Sequence, residues 1–138
     1  MAGSAVLAVS ISIFGEGVDP DEVSQALGAT PDRSHRVGET VSAESSARRR
    51  TGLWSITTHG SVADEAVLAD HIAVILGRVS SDVAIWRQLA DHHSTRVFIS
   101  WFMGEGNEAL RVDASILAEL ARRALHLDIE VYAPPADD

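Results

Sequence analysis

Cysteine, lysine and long apolar runs are all missing from this chain. Without cysteine there is no disulfide framework and no thiolate chemistry. No apolar stretch approaches the roughly 18 residues that a membrane-spanning helix needs. The apolar start, "MAGSAVLAVSISIFGEG", lacks the basic residues that open a secretion signal, so it favours a strand. We therefore expect a cytoplasmic protein that makes no contact with a membrane.

Positive charge is scarce, and all 11 basic residues are arginine. A GC-rich coding sequence explains that uniformity better than a demand for guanidinium geometry does. Because 20 carboxylates outweigh the arginines, the formal net charge is −9, which argues against nucleic-acid binding through repulsion of phosphate. Residues 31–59 differ: five arginines and three carboxylates give them +2, which leaves −11 for the rest of the chain.

The size and composition indicate one globular domain. At 138 residues, of which 46 % are hydrophobic and 22 % charged, the chain is long enough to bury a single core and too apolar to be disordered. We assign residues 1–138 to one domain, with a core at about 5–133 and a short disordered tail at 134–138.

Period-two alternation of apolar residues predicts the strands. Residues 7–13 alternate isoleucine, valine and leucine with serine and alanine, which is typical of a strand with one buried face. Further strands are predicted at 53–58, 96–103 and 127–131, with a short one near 37–41. The segment "RVFISWFM" at 96–103 is apolar on both faces, so it is expected near the centre of the sheet.

Capping residues and apolar stripes predict three helical regions. Asp19-Pro20 opens the first, which ends at Gly28. The second opens at Ser61 or Asp64, is interrupted at Gly77 and resumes after a cap at Ser80 or Ser81. The third follows Asp113 and buries Ile116, Leu117, Leu120 and Ala121. These elements predict an α+β fold, in which a mostly antiparallel sheet of four to six strands carries the helices largely on one face as a two-layer sandwich.

Two similar strings invite a comparison: "ISIFGEG" at 11–17 and "ISWFMGEG" at 99–106. If their Gly-Glu-Gly loops lay at the same end of the sheet, Glu16, Asp19, Glu105 and Asp113 could approach one another and do acid–base work or hold a cation. Helix capping and solvated loop charge explain these carboxylates more simply.

No motif in the chain indicates catalysis or a cofactor. Gly15-Glu16-Gly17 lacks the third glycine of a dinucleotide fingerprint, because Pro20 stands in its place. The six histidines do not have the spacing of metal ligands on one helix face. We assign no catalytic residue, metal site or cofactor, and expect the protein to fold without metal or nucleotide.

The segment "RRRTGLWSI" at 48–56 is the best candidate for a binding site. Trp54, near the head of a strand, is most simply a core residue, and the three arginines are then surface residues. In the functional alternative, Arg36 and Arg48–Arg50 form a cationic lip with His35 over an aromatic floor at Trp54, and this lip binds an anion.

The chain also resembles a bacterial family of small proteins known only as the domain of unknown function numbered 4279. The resemblance covers about residues 7–133 and depends on the order of several loose motifs. These motifs are "GEGVDPDEVSQALGATPD", "VGE" at 37–39, "RRRTGLWSI", the amphipathic stretch 64–91 and "LAELARRALHLDIEVYA". It implies an α+β fold, and it brings no activity, cofactor or site residue with it.

Two functions remain open. We favour a binding or interaction module over an enzyme: an immunity-like or regulatory protein whose acidic surface meets a basic protein partner. The alternative is a small anionic-ligand-binding or enzymatic domain that uses the arginine-rich loop 31–59 and Trp54. The oligomeric state is not indicated by any pattern.

The two interpretations of "RRRTGLWSI" differ in their consequences for stability. If Trp54 is a core residue, Trp54→Ala should lower the free energy of unfolding by about 3–5 kcal/mol. Replacing Arg48, Arg49 and Arg50 with alanine should cost no more than about 0.5 kcal/mol per site. Chemical denaturation measures both. Unfolding of the arginine variant together with a stable Trp54 variant would reverse the assignment.

Overall fold

The structure, a computed structural model, describes residues 5–134 and Ala136. Of the tail predicted at 134–138, residues 135, 137 and 138 lie outside the described residues. Within the described range the chain forms five strands and four helices. In order they are β1 (Val6–Gly15), α1 (Pro20–Leu27), β2 (Arg33–His35), β3 (Gly52–Thr57), α2 (Leu68–Gly77), α3 (Val83–His92), β4 (Ser94–Phe102), α4 (Ala114–Arg122) and β5 (His126–Tyr132).

The strands form one sheet in the order β2-β3-β1-β4-β5. β1 lies at its centre and is antiparallel to both β3 and β4, and β2 is antiparallel to β3. Only β4 and β5 are parallel, because α4 carries the chain back between them. The predicted α+β fold with a mostly antiparallel sheet is confirmed.

The helices pack against one face of this sheet. Leu7, Val9, Ile11 and Ile13 of β1 all point to that face and are buried with apolar residues of the helices. The alternate residues of β1 point to the opposite face, which strand and loop residues line. The period-two pattern of 7–13 thus has its predicted meaning, one buried face and one face without helices.

The first helix begins and ends as predicted. The Asp19 side chain accepts a hydrogen bond from the Asp21 N–H at 3.0 Å, and Pro20 occupies the first turn. Gly28 ends α1 in the left-handed region with φ 66°, where its N–H donates to the Ser24 carbonyl.

The later helix starts differ from the prediction. α2 begins at Leu68, not near Ser61 or Asp64, because the intervening residues form turns and the Asp64 carbonyl accepts the Leu7 N–H of β1. The cap of α3 is Asp82, not Ser80 or Ser81: its carboxylate accepts from the Ala84 N–H at 2.9 Å.

Two further predictions are wrong in detail. Residues 37–41 do not form a strand: Gly38 has φ 86°, and the segment makes only a single bridge, from Thr40 to Arg48. The short strand is instead β2, just before it. In α4, Ile116 and Leu120 are buried as predicted, but Leu117 and Ala121 are exposed because they lie outside the helix stripe that meets the sheet.

Among the described residues, no helix combines the length and apolarity that crossing a bilayer requires.

The start of β3 leaves no room for a side chain at Gly52. A Cβ there would lie 2.5 Å from the Val18 carbonyl oxygen, whereas one at Gly77, the last residue of α2, would meet nothing within 4 Å. Gly52→Ala should therefore lower the free energy of unfolding by about 1–3 kcal/mol, as overpacking does. Gly77→Ala, the matched control, should raise it by roughly 0.5 kcal/mol through helix propensity. Denaturant titration that finds equal effects would contradict this.

Candidate functional site

The structure separates Trp54 from the arginines that precede it. Trp54 is fully buried on the helix side of β3, and its indole N–H donates to the Ser24 hydroxyl of α1 at 2.9 Å. The expectation that Trp54 is a core residue is confirmed. It offers no surface on which a ligand could stack.

The arginines of the predicted lip mostly hold their own loop together. Arg36 forms ion pairs with Asp19 at 2.9 Å and Asp21 at 2.7 Å, which attaches the loop to the start of α1. Arg48 donates to the Gly38 carbonyl at 2.8 Å. In the described part of the chain, Arg50 is exposed and makes no hydrogen bond or ion pair.

His35 and Arg49 do come together within this loop. Burial lowers the pKa of His35, and the nearby charge of Arg49 lowers it further. Arg49 donates to the Val41 carbonyl at 3.5 Å, and its Nε is buried without a partner in the described range. The arrangement stabilises a compact loop, while anion binding by these residues stays a prediction.

The two Gly-Glu-Gly loops lie at opposite ends of the sheet. β1 and β4 are antiparallel, with Phe14 opposite Ser94 and Val6 opposite Phe102. The loop after β1 and the loop after β4 therefore cannot meet, and the carboxylate set Glu16, Asp19, Glu105 and Asp113 is not assembled. Within residues 5–134 and Ala136, no three His, Asp or Glu side chains are grouped as metal ligands.

The face of the sheet without helices carries a polar trough of about 340 Å³. Small hydroxyl residues form its floor, where Ser12 Oγ and Ser55 Oγ lie 3.0 Å apart and bond to each other. Of its charged lining residues, Asp32 pairs with Arg78 and Glu130 accepts from the Tyr132 hydroxyl, whereas Arg33 makes no ion pair or side-chain hydrogen bond among the described residues. Two of these three charges are therefore already bonded within the fold.

A larger groove, of about 410 Å³, lies on the helix side at the end of the sheet where β1 begins and β4 ends. We call it the acidic groove. One wall is the start of α2 with the turn before it, the other is the connection from β4 to α4, and Trp101 contributes to the lining between them. Its lining residues are Ala5, Leu7, Glu65, Ala66, Val67, Leu68, Ala69, Trp101, Ala109, Leu110, Arg111 and Asp113.

Hydrogen bonds to β1 and α2 position the first wall. The Leu7 N–H donates to the Asp64 carbonyl at 3.0 Å, which extends the pairing of β1 beyond the end of β3. Val9 and Thr58 exchange two bonds, since the Val9 N–H donates to the Thr58 hydroxyl at 3.0 Å and the Thr58 N–H to the Val9 carbonyl at 2.8 Å. The same hydroxyl lies 2.8 Å from Nδ1 of His71 in α2.

The turn that leads from β4 into the second wall is stabilised by the carboxylate of Glu108, which accepts hydrogen bonds from backbone N–H groups. Glu108 accepts from the Gly104 N–H at 3.1 Å and from the Glu105 N–H at 3.1 Å, which closes the turn after β4. The Met103 N–H donates to the Tyr132 carbonyl at 3.0 Å and ties the same turn to β5. The first wall is thus bonded to β1, and the turn that leads into the second wall is closed by Glu108 and bonded to β5.

Negative charge is concentrated in these walls. Residues 64–70 and 105–113 together carry six carboxylates and one arginine, a formal charge of −5 out of −9 for the whole chain. Glu65, Arg111 and Asp113 lie on the groove itself and are exposed. Two short segments therefore hold more than half of the net charge, around an apolar depression.

Comparison with known proteins gives one match. The sequence model of a family described as "Domain of unknown function (DUF4279)" matches residues 5–134. The protein belongs to this family. The resemblance found from the motifs is confirmed over nearly the whole chain. No curated protein and no solved structure matches it significantly.

For this DUF4279 member, sequence patterns did not indicate the acidic groove. Trp101 was expected as part of a central strand, and Asp113 as a helix cap or a member of a carboxylate set with Glu16, Asp19 and Glu105; its side chain makes no capping bond. The clusters Asp64-Glu65 and Glu105 to Asp113 were visible as local charge. Only the antiparallel arrangement of β1 and β4, with α2 packed beside them, shows that the clusters share one end of the sheet.

His71, behind the first wall, makes stability depend on pH. It is 1 % exposed, its Nε2 has no hydrogen-bond partner among the described residues, and burial lowers its pKa below 6.5, against the smaller opposing effects of Asp64 and Asp70. Because the pKa of His71 is lower in the folded protein, His71 of the unfolded chain takes up its proton at a higher pH than His71 of the folded protein. The contribution of His71 to stability is therefore fully present above about pH 6.5 and is lost as the pH falls toward the folded-state pKa.

We expect His71→Gln to flatten the fall in the free energy of unfolding between pH 7.5 and pH 5. His35 and His93, whose pKa values are also lowered, first by burial, will retain part of the slope. His126→Gln, at an exposed position of β5, is the control. Urea titrations at several pH values measure the slope, and an unchanged slope in His71→Gln would contradict the assignment.

Proposed function

We propose that this protein is a binding module for a basic protein partner and that the acidic groove receives a segment of that partner. The observation that carries the proposal is an apolar depression that Glu65 and Asp113 line, between two segments that together hold more than half of the chain's net negative charge. Negative charge by itself is also found on ordinary solvated surfaces. An apolar groove by itself does not indicate what kind of partner binds there. Together they match a segment that combines apolar and basic side chains.

The apolar part of the groove offers contact area for such a segment. Leu7 and Leu68 form a buried floor, Trp101 is half-buried, and Val67 is 64 % exposed at the wall. A volume of about 410 Å³ is enough for a few apolar side chains. A large aromatic or aliphatic anchor that fills it would be desolvated, which is the usual source of binding energy at an interface.

The charged rim would select the partner. The carboxylates of Glu65 and Asp113 stand at the groove, with Arg111 as the basic residue of its lining. An acidic rim attracts basic proteins at long range and disfavours acidic ones, so it raises the association rate and the specificity more than the affinity. The same field should make binding weaker at high ionic strength.

Peptide selection with matched charge variants tests this function. Peptides selected on the purified protein from a random display library should carry Lys or Arg next to a Leu, Phe or Trp. We expect the double variant Glu65→Arg with Asp113→Arg to raise the dissociation constant of a selected peptide at least about tenfold. The control variant, Glu44→Arg with Asp91→Arg, changes the net charge by the same amount at exposed positions away from the groove. It should raise the dissociation constant no more than about twofold.

Fluorescence anisotropy with the labelled peptide gives both dissociation constants, and circular dichroism shows that both variants are folded. Selection of acidic peptides, or equal losses in the groove and control variants, would refute the proposal.

A further inference from the structure

The two edges of the sheet are unequal. At one edge β2 has three residues, and at the other β5 has seven, His126–Tyr132. Proteins usually protect a sheet edge from pairing by keeping it short or by placing charged side chains, proline or a bulge there, and β5 has two charged side chains, Asp128 and Glu130. β2 is too short to offer more than a few backbone groups for pairing with another strand. β5 pairs continuously with β4 and contains no proline, so its outer side presents a regular ladder.

The hydrogen bonds of β5 show which backbone groups face outward. Residues of a strand direct their N–H and C=O groups alternately to the two sides. The Tyr132 carbonyl accepts from Met103, which follows β4, so residues 126, 128, 130 and 132 face β4. The backbone groups of Leu127, Ile129 and Val131 therefore point away from the sheet.

The side chains of β5 divide by face. On the helix side, Ile129 is 42 % and Val131 54 % exposed. On the other side lie Asp128, which is ion-paired with Arg96 at 2.9 Å, and Glu130, which accepts from the Tyr132 hydroxyl at 2.7 Å. No described strand pairs with the outer backbone groups of β5, and the edge has an apolar row on one side and, with Arg96 counted, a net negative charge on the other.

The antiparallel pairings in which two β5 strands overlap most bring like charges together. Antiparallel pairing of two β5 strands about Ile129 would place Asp128 directly opposite Glu130 of the other copy. Pairing centred on Asp128 or Glu130 would place that carboxylate opposite itself. Like charges in directly opposite positions are destabilising, so each of these registers is disfavoured.

We propose that β5 accepts an extended segment of a partner protein as a sixth strand, with apolar residues on the helix side alternating with Lys or Arg on the other. Main-chain hydrogen bonds to Leu127, Ile129 and Val131 supply affinity, and alternate side chains supply specificity. The basic residues of the added strand lie opposite Glu130, which has no cationic partner among the described residues, and beside Asp128, which is paired with Arg96. This inference uses a surface separate from the acidic groove and does not depend on that proposal.

Amide hydrogen exchange observed by NMR tests the added strand directly. The probe is a peptide as long as β5 that alternates lysine with valine, and the full-length protein is the target. Binding should slow exchange at the amides of Leu127, Ile129 and Val131 at least about tenfold, because these become hydrogen-bonded. The amides of β2 should not change. The same peptide with glutamate in place of lysine should not bind.

Two protein variants distinguish peptide pairing with β5 from peptide binding elsewhere on the protein. Ile129→Pro removes an outward N–H, which an edge strand tolerates, and should abolish peptide binding with the fold intact. Ile129→Lys with Val131→Lys, a second variant, should also abolish it through charge repulsion and loss of the apolar row. The groove variant, Glu65→Arg with Asp113→Arg, should still bind the peptide at β5. The added-strand proposal can therefore be tested even if the groove proposal fails.

The proposal is overturned if the peptide binds without protecting the three outward amides. It is also overturned if analytical ultracentrifugation shows a dimer in which these amides are already protected, since the occupant is then a second copy.

Discussion

The pairing of β1 with β3 on one side and β4 on the other organises this protein. β1 is antiparallel to both neighbours, and nine of its ten residues, Val6 to Phe14, are aligned with β4. A strand in this position cannot shift by one residue without turning Val9, Ile11 and Ile13 from the core to the opposite face. The register of β1 therefore determines which face the helices cover.

The direction of β1 also determines what the ends of the sheet bring together. The chain enters the sheet at Val6 and leaves β4 at Phe102 on the same end, and the turn before α2 joins them through the bond from Leu7 to Asp64. Two acidic segments that are about forty residues apart in sequence thereby line one groove. At the other end, Asp19 and Asp21 meet Arg36, so negative charge there is partly neutralised within the fold.

The arginines show how a cluster in sequence can have a structural role. Each guanidinium of Arg36 and Arg48 bonds to groups of its own chain, a carboxylate pair in one case and a carbonyl in the other. The loop between β2 and β3 has little apolar material to bury, with Val37 and Val41 both exposed. Polar and ionic contacts therefore hold it, and positive charge at 48–50 does not by itself identify a ligand site.

How much of this was predictable depends on the range of each interaction. The α+β class, the Asp19–Gly28 helix and the core position of Trp54 follow from local alternation and capping, which neighbouring residues determine. Sequence patterns placed the start of α2 too early, because the residues before it bond to β1 and form turns, and this is a long-range effect.

The sequence by itself determined the acidic charge, the family and the alternation of apolar residues along β1. Only the tertiary structure decided where the charge collects and which edge of the sheet is open. Strand order and direction depend on contacts between segments far apart in the chain, and no local pattern encodes them. The acidic groove and the free edge of β5 are consequences of that order.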